Sequence, residues 1–135
     1  MSIGTILNLK KIEDRRGNLT VVEQFEDVPF DVKRVYWTYD VPSGVWRGGH
    51  AHRTLQQVIV ALSGSFDVHL DNGREKEVVH LNHPYQALYI PPMTWDCLKD
   101  YSGGSVCLVL TSDYFNEEDY IRNYREFLKE VKKCK

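Results

Sequence analysis

Gly44-Val-Trp-Arg47-Gly-Gly-His50-Ala-His52-Arg-Thr-Leu-Gln-Gln57, closed by Gly64 after a further apolar run, is the most informative stretch of the chain. On a strand, residues i and i+2 face the same way, so His50 and His52 are expected to project together from one sheet face. Two imidazoles then share one cavity wall. The glycines before them allow close backbone approach, and Arg47 flanks the pair.

Outward from this stretch, short runs rich in β-branched and aromatic residues alternate with turn signals. They predict strands over Thr5 to Leu9, Leu19 to Gln24, Val32 to Tyr39, Leu55 to Leu62, Ser65 to Asp71, Lys76 to Leu81, Gln86 to Ile90, Trp95 to Lys99 and Ser105 to Thr111. Asn72-Gly73 suits a tight hairpin because both residues tolerate positive φ. Beyond residue 112 the period changes, with Tyr120, Tyr124, Phe127, Leu128 and Val131 recurring at helical steps. One C-terminal helix is predicted, with Asn116 as its N-cap, acids at its start and lysines at its end. Its apolar stripe should cover one side of a β-domain, most simply a double-sheet jelly roll.

The 135 residues are 42% hydrophobic and 27% charged, which fits one globular domain, residues 1–135. Seventeen basic against nineteen acidic residues give a formal charge of −2, so no global field favours nucleic acid or an anionic membrane. An anionic ligand must be held by a local basic cluster. Apolar runs such as Val58 to Leu62 are too short to span a bilayer and the N-terminus lacks a signal-peptide pattern, so a soluble, cytoplasmic protein is expected. Cys97, Cys107 and Cys134 are odd in number and include no C-x-x-C pair, which argues for reduced, structural thiols.

The spacing from Gly44 through His50-x-His52 and Gln57 to Gly64 is similar to the first motif of the cupin superfamily, in which two histidines and an acid bind a metal inside a small barrel. Here Gln57 stands at the acid position, and the second motif, P-x-G-x-x-H, reads Pro91-Pro-Met93-Thr-Trp-Asp96. A neutral amide is a poor substitute for a carboxylate ligand, so no metal is expected. Without one, paired histidines are candidates for proton transfer, because imidazole titrates near the working pH. His69, His80 and His83 have no such partner and read as structural or solvated.

A narrower resemblance covers almost the whole chain. Lys33-Arg-Val-Tyr36, Arg47-Gly-Gly-His50-Ala-His52, Leu88-Tyr-Ile-Pro-Pro, Trp95 and the tail from Ser112-Asp-Tyr through Asp119-Tyr-Ile-Arg122-Asn-Tyr resemble the sugar 3,4-ketoisomerases, metal-independent cupins acting on dTDP-4-keto-6-deoxyglucose. The resemblance implies an all-β, cupin-type double-sheet jelly roll with one C-terminal α-helix. It also implies a homodimer, often with N-terminal strands exchanged, that feeds an aminotransferase making 3-amino-3,6-dideoxyhexoses.

The implied reaction moves the ketone from C4 to C3 through an enediol and needs no cofactor. His50 is expected to abstract the C3 proton and His52 to relay it, with Tyr36 bonding an oxygen whose charge grows. Arg47 would stabilise the same charge or hold a phosphate. Arg16, Arg122 and Asp96 are the remaining expected substrate contacts; the family has His or another polar residue at the position of Asp96, which here orients a histidine, acts as an acid or alters the course at C4. Tyr89, Trp37 and Trp95 are read as core rather than stacking residues. Three other readings stay open at this point: a metal-dependent cupin, a dTDP-sugar 3,5-epimerase, and a non-catalytic sugar-nucleotide-binding cupin.

Overall fold

The computed structural model describes residues 2–133. Two five-stranded antiparallel sheets face each other. The first contains β1 (Thr5–Asn8), β9 (Gln86–Ile90), β6 (Gln57–Ser63), β11 (Val106–Thr111) and β4 (Arg34–Thr38), in that spatial order. The second runs β12 (Tyr120–Ile121), β5 (Arg47–His52), β10 (Trp95–Lys99), β7 (Phe66–Asp71) and β8 (Lys76–Leu81). A separate hairpin joins β2 (Lys10–Ile12) to β3 (Leu19–Val21), and one helix, α1, spans Tyr124–Lys133. This is the expected cupin-type jelly roll.

Burial on both faces explains why β6 reads as an almost unbroken apolar run. Ile59 and Ala61 turn inward onto Val68, Leu70, Leu98 and Val109 between the sheets. Val58 and Val60 turn outward and are covered by Leu9, Val28 and Phe30 of the N-terminal segment. β8, at a sheet edge, instead alternates exposed Val78 and His80 with inward Val79 and Leu81. A third cluster seats Phe127 of α1, with Leu128 and Val131, on Ala51, Ile121 and Trp95.

Four local expectations are corrected. Asn116 does not cap the long helix; its side chain accepts from the backbone N–H of Glu118 and caps a single 3-10 turn, Glu117–Asp119. Tyr120 and Ile121, expected on the helix, are a short strand paired with His52 and Ala51. The helix starts at Tyr124 under Asn123, whose Oδ1 accepts from the Glu126 N–H at 3.1 Å. The β7–β8 connection is a four-residue turn, Asn72 to Glu75, in which Gly73 alone takes positive φ while the Asn72 side chain accepts from the N–H groups of Arg74 and Glu75. Trp37 is not core: it lies on the outer face of the edge strand β4 and is 57% exposed. Trp95 packs against Phe127, and the Tyr89 hydroxyl donates to Gln56.

Candidate active site

β5 carries the paired histidines, and its geometry depends on a bulge. His50 stands opposite Asp96 and Arg47 opposite Leu98, yet two residues lie between Arg47 and His50 and only one between Asp96 and Leu98. Gly48 and Gly49 absorb the extra residue with φ of 91° and 78°. In a regular strand Arg47 and His50 would point to opposite faces; the bulge brings both to the inner one. A Cβ at Gly48 would lie 3.0 Å from the Asp96 carbonyl oxygen.

His50 and His52 lie side by side, ring centroids 5.0 Å apart and planes at 73°. Tyr120, delivered by β12, packs its ring 5.0 Å from His50 and 4.4 Å from His52. Burial pushes both imidazoles down to about 4, and mutual repulsion with the charge of Arg122 adds to the fall at His50. Both rings are therefore neutral near neutral pH, and each keeps a nitrogen lone pair. The Nδ1 of His52 is buried without a hydrogen-bond partner and lies 3.8 Å from Asp119 Oδ2. Asp119 is itself fixed by the backbone N–H groups of Thr54 and Leu55.

Asp96 on β10 is 2% exposed, and its carboxyl Oδ1 lies 3.9 Å from His50 Nε2. Its Oδ2 accepts from the amide Nε2 of Gln57 at 2.8 Å. Burial lifts this carboxyl to about 7, against the smaller opposing effect of the Gln57 hydrogen bond. Tyr36, Arg47, His50, Gln57, Asp96 and Tyr101 line one cavity of about 90 Å³ between the sheets. Burial also raises the Tyr36 phenol above its ordinary value, which keeps it a hydrogen-bond donor. A larger concavity, about 530 Å³, lies under the β2–β3 hairpin, but its lining is mostly aliphatic and includes no paired acid and base.

The expected arginines divide. Arg122 lies with its guanidinium 4.2 Å over the Tyr120 ring and is paired through Nε and Nη2 with Glu117 at 2.6 and 2.9 Å. Arg16 is elsewhere, in the turn of the β2–β3 hairpin, exposed and bonded to Asp14. Within one chain it does not join the histidines. Three side chains complete the histidine wall without having been singled out as site residues: Tyr120, Asp119, and Arg34, whose guanidinium lies 4.5 Å over the Tyr36 ring. The alternation Arg34, Tyr36 along β4 was the available signal for Arg34.

The donor set does not fit a cupin metal. At the acid position the Gln57 amide turns its N–H toward Asp96, and among the described residues no three His, Cys, Asp or Glu side chains gather to hold an ion. Elsewhere His80 Nδ1 meets Asp67 Oδ1 at 2.7 Å on the surface and His83 stacks on Tyr85. Cys107 is a buried thiol pushed up to about 12 by desolvation, and Cys134 lies outside the described residues.

Comparison with known proteins places the chain in a family. The family described as FdtA: WxcM-like, C-terminal matches residues 3–132. The chain belongs to this family. A relative from Aneurinibacillus thermoaerophilus, TDP-4-oxo-6-deoxy-alpha-D-glucose-3,4-oxoisomerase, is 43% identical over 128 residues, covering 95% of this chain and 92% of its own. The crystal structure of QdtA from Thermoanaerobacterium thermosaccharolyticum, a sugar 3,4-ketoisomerase in complex with TDP, superposes with a TM-score of 0.95. It is 41% identical, with 98% of this chain and 96% of that one covered. WlaRB of Campylobacter jejuni, a TDP-quinovose 3,4-ketoisomerase, gives 0.91 at 43% identity over 96% and 99% of the two chains.

Proposed function

We propose that this WxcM-like protein is a dTDP-4-keto-6-deoxy-D-glucose 3,4-ketoisomerase, an isomerase that moves the keto group from C4 to C3 without a cofactor. The supporting observation is the pair His50, half-buried, and His52, buried, both neutral and walled by Tyr36, Tyr120 and Asp96. The relatives named for this reaction support the substrate class.

The C3 proton is acidic because it lies α to the C4 carbonyl. His50 takes it, giving an enediol, and His52 relays a proton so that C4 is reprotonated while the hydroxyl protons exchange. The two imidazoles titrate as a coupled pair, so acid and base roles belong to the pair. Tyr36 and Arg47 stabilise the oxygen on which charge develops. Asp96 contributes to the substrate-facing wall, and the guanidinium of Arg122 supplies a forked contact for the diphosphate.

The protein works as one domain, residues 1–135, in a homodimer in the cytoplasm. Dimerisation is what would give Arg16 a role, since its guanidinium is solvent-facing and away from the histidines of its own chain. The product would pass to a 3-aminotransferase, and the resulting 3-amino-3,6-dideoxyhexose to a surface glycan such as an O-antigen or S-layer. Nothing in the charge balance favours nucleic acid, and among the described residues no helix is long and apolar enough to cross a membrane.

Incubation with dTDP-4-keto-6-deoxyglucose, a 3-aminotransferase and an amino donor, followed by NMR, tests the reading. A 3-amino product with deuterium incorporated at C3 and C4 in D2O is expected. A carbonyl that stays at C4, or no exchange, would overturn it.

A further inference from the structure

Gln57 does more than occupy a vacated ligand position. Its Nε2 donates to Asp96 Oδ2, which leaves the other oxygen, Oδ1, turned toward His50 Nε2 at 3.9 Å. The amide thus decides which carboxyl oxygen the imidazole sees in each protonation state. When the carboxyl is neutral, Oδ2 is the carbonyl that accepts from Gln57, and the proton sits on Oδ1. Drawn in from the present 3.9 Å to hydrogen-bond distance, that O–H would donate to His50 Nε2 and place the ring proton on Nδ1. When the carboxyl is ionised, Oδ1 accepts instead, and the ring proton belongs on Nε2.

We propose that Asp96, oriented by Gln57, is a positioning residue that selects the His50 tautomer: its carboxylate holds the ring proton on Nε2 and leaves the Nδ1 lone pair to take the substrate C3 proton. This deepens the ketoisomerase reading and rests on it. The proton balance closes within the site. The C3 proton moves to Nδ1, the imidazolium is matched by the Asp96 carboxylate, and the proton leaves through His52 to C4, returning His50 to its starting tautomer. The gap of 3.9 Å is long for a hydrogen bond, as such contacts commonly are before substrate closes the site.

The surroundings make Asp96 the group that sets this switch. From β5 it is faced by His50 and Arg47, from β4 by Tyr36, from β11 by Cys107, from β6 by neutral Gln57 and from the segment after β10 by Tyr101. β7 presents only apolar Leu70 opposite it. Burial raises Tyr36, Tyr101 and Cys107 far above neutrality and lowers His50 to about 4, whereas Asp96 is lifted to about 7. Asp96 is therefore the member of this group whose charge changes near neutral pH.

Two measurements on the full chain test the proposal. In 15N-histidine-labelled protein without substrate, the His50 ring nitrogens should exchange tautomer as pH rises through about 7, from Nδ1–H to Nε2–H. In Asp96→Asn, Gln57 donates to the amide oxygen and the new NH2 faces Nε2, so His50 should stay Nδ1–H at every pH. C3 deuterium exchange should fall about 100-fold and lose its rise with pH, with KM little changed. Gln57→Met removes the hydrogen bond that favours the carboxylate, so the midpoint of both profiles should move to higher pH. One His50 tautomer throughout the wild-type titration, or an Asp96→Asn profile that keeps the wild-type midpoint, overturns the positioning role. Wild type that exchanges C3 deuterium without switching tautomer overturns that role alone. Wild type that switches but never exchanges overturns the ketoisomerase reading, and the catalytic meaning of the switch with it.

Discussion

Arg47 and His50 share the inner face of β5 although they are three positions apart, because His50 pairs with Asp96 and Arg47 with Leu98 across a bulge at Gly48 and Gly49. Gly48→Ala places a methyl group 3.0 Å from the Asp96 carbonyl oxygen at a φ of 91°. The strain should cost about 1–3 kcal/mol, seen as a lower denaturant midpoint at unchanged slope. Because relief requires β5 to shift against β10, C3 exchange should drop as well. A variant with wild-type stability and exchange would show that the bulge is not needed to aim the two side chains.

The helix reaches the site through β12. Phe127 is fully buried against Ala51, Ile121 and Trp95, and β12 carries Tyr120 onto both histidines. Phe127→Ala should destabilise the protein by about 3–5 kcal/mol. Trp95 should report the loosening as a red-shifted emission, since its ring centroid lies 5.7 Å from that of Phe127. Exchange per folded molecule should fall with it. An unshifted spectrum with a large loss of stability would place the damage away from this seam.

Much of the wall was legible because strand periodicity is local: His50-x-His52 projects as a pair whatever surrounds it. Alternation alone, however, sends Arg47 away from His50, and the adjacent glycines were the only sign that it does not. The start of the helix was misplaced because Tyr120 and Ile121 fit a helical period until β5 claims them as a strand, a pairing that spans the chain. The capping signal was there in Asn123 with Glu126 three residues on. Gln57 and Asp96 are 39 residues apart, and nothing local to either announces their hydrogen bond.

Stability should depend on pH in two opposed ways. His50 and His52 are lowered from 6.5 to about 4, so they contribute stability above 6.5 that is lost as pH falls through about 4. Asp96 is raised from 3.8 to about 7, so its contribution is complete below 3.8 and is lost as pH rises through about 7. Two histidines outweigh one carboxyl, so wild-type Tm should fall on acidification below about pH 6 and change little near about pH 7. Asp96→Asn removes the opposing carboxyl. Its Tm should exceed that of wild type above about pH 7 and fall more steeply below about pH 6, and calorimetry across this range would show the reverse ordering if Asp96 were ionised throughout.

Arg122 is occupied, and that predicts a competition. Its guanidinium is forked onto the exposed Glu117 carboxylate while lying over Tyr120, beside the histidines. A diphosphate with two or more negative charges offers the same fork a stronger partner, so binding must exchange one pairing for the other. Glu117→Gln removes the competing charge and leaves Arg122 in place; TDP affinity should rise by about 2- to 10-fold, with little effect on Tm because the pair is exposed. Arg122→Ala should weaken TDP by about 10- to 100-fold and flatten the salt dependence of binding. Titration calorimetry at two ionic strengths separates these outcomes. If Arg122→Ala binds TDP like wild type, the diphosphate is held elsewhere and the Glu117 pairing is only a surface contact.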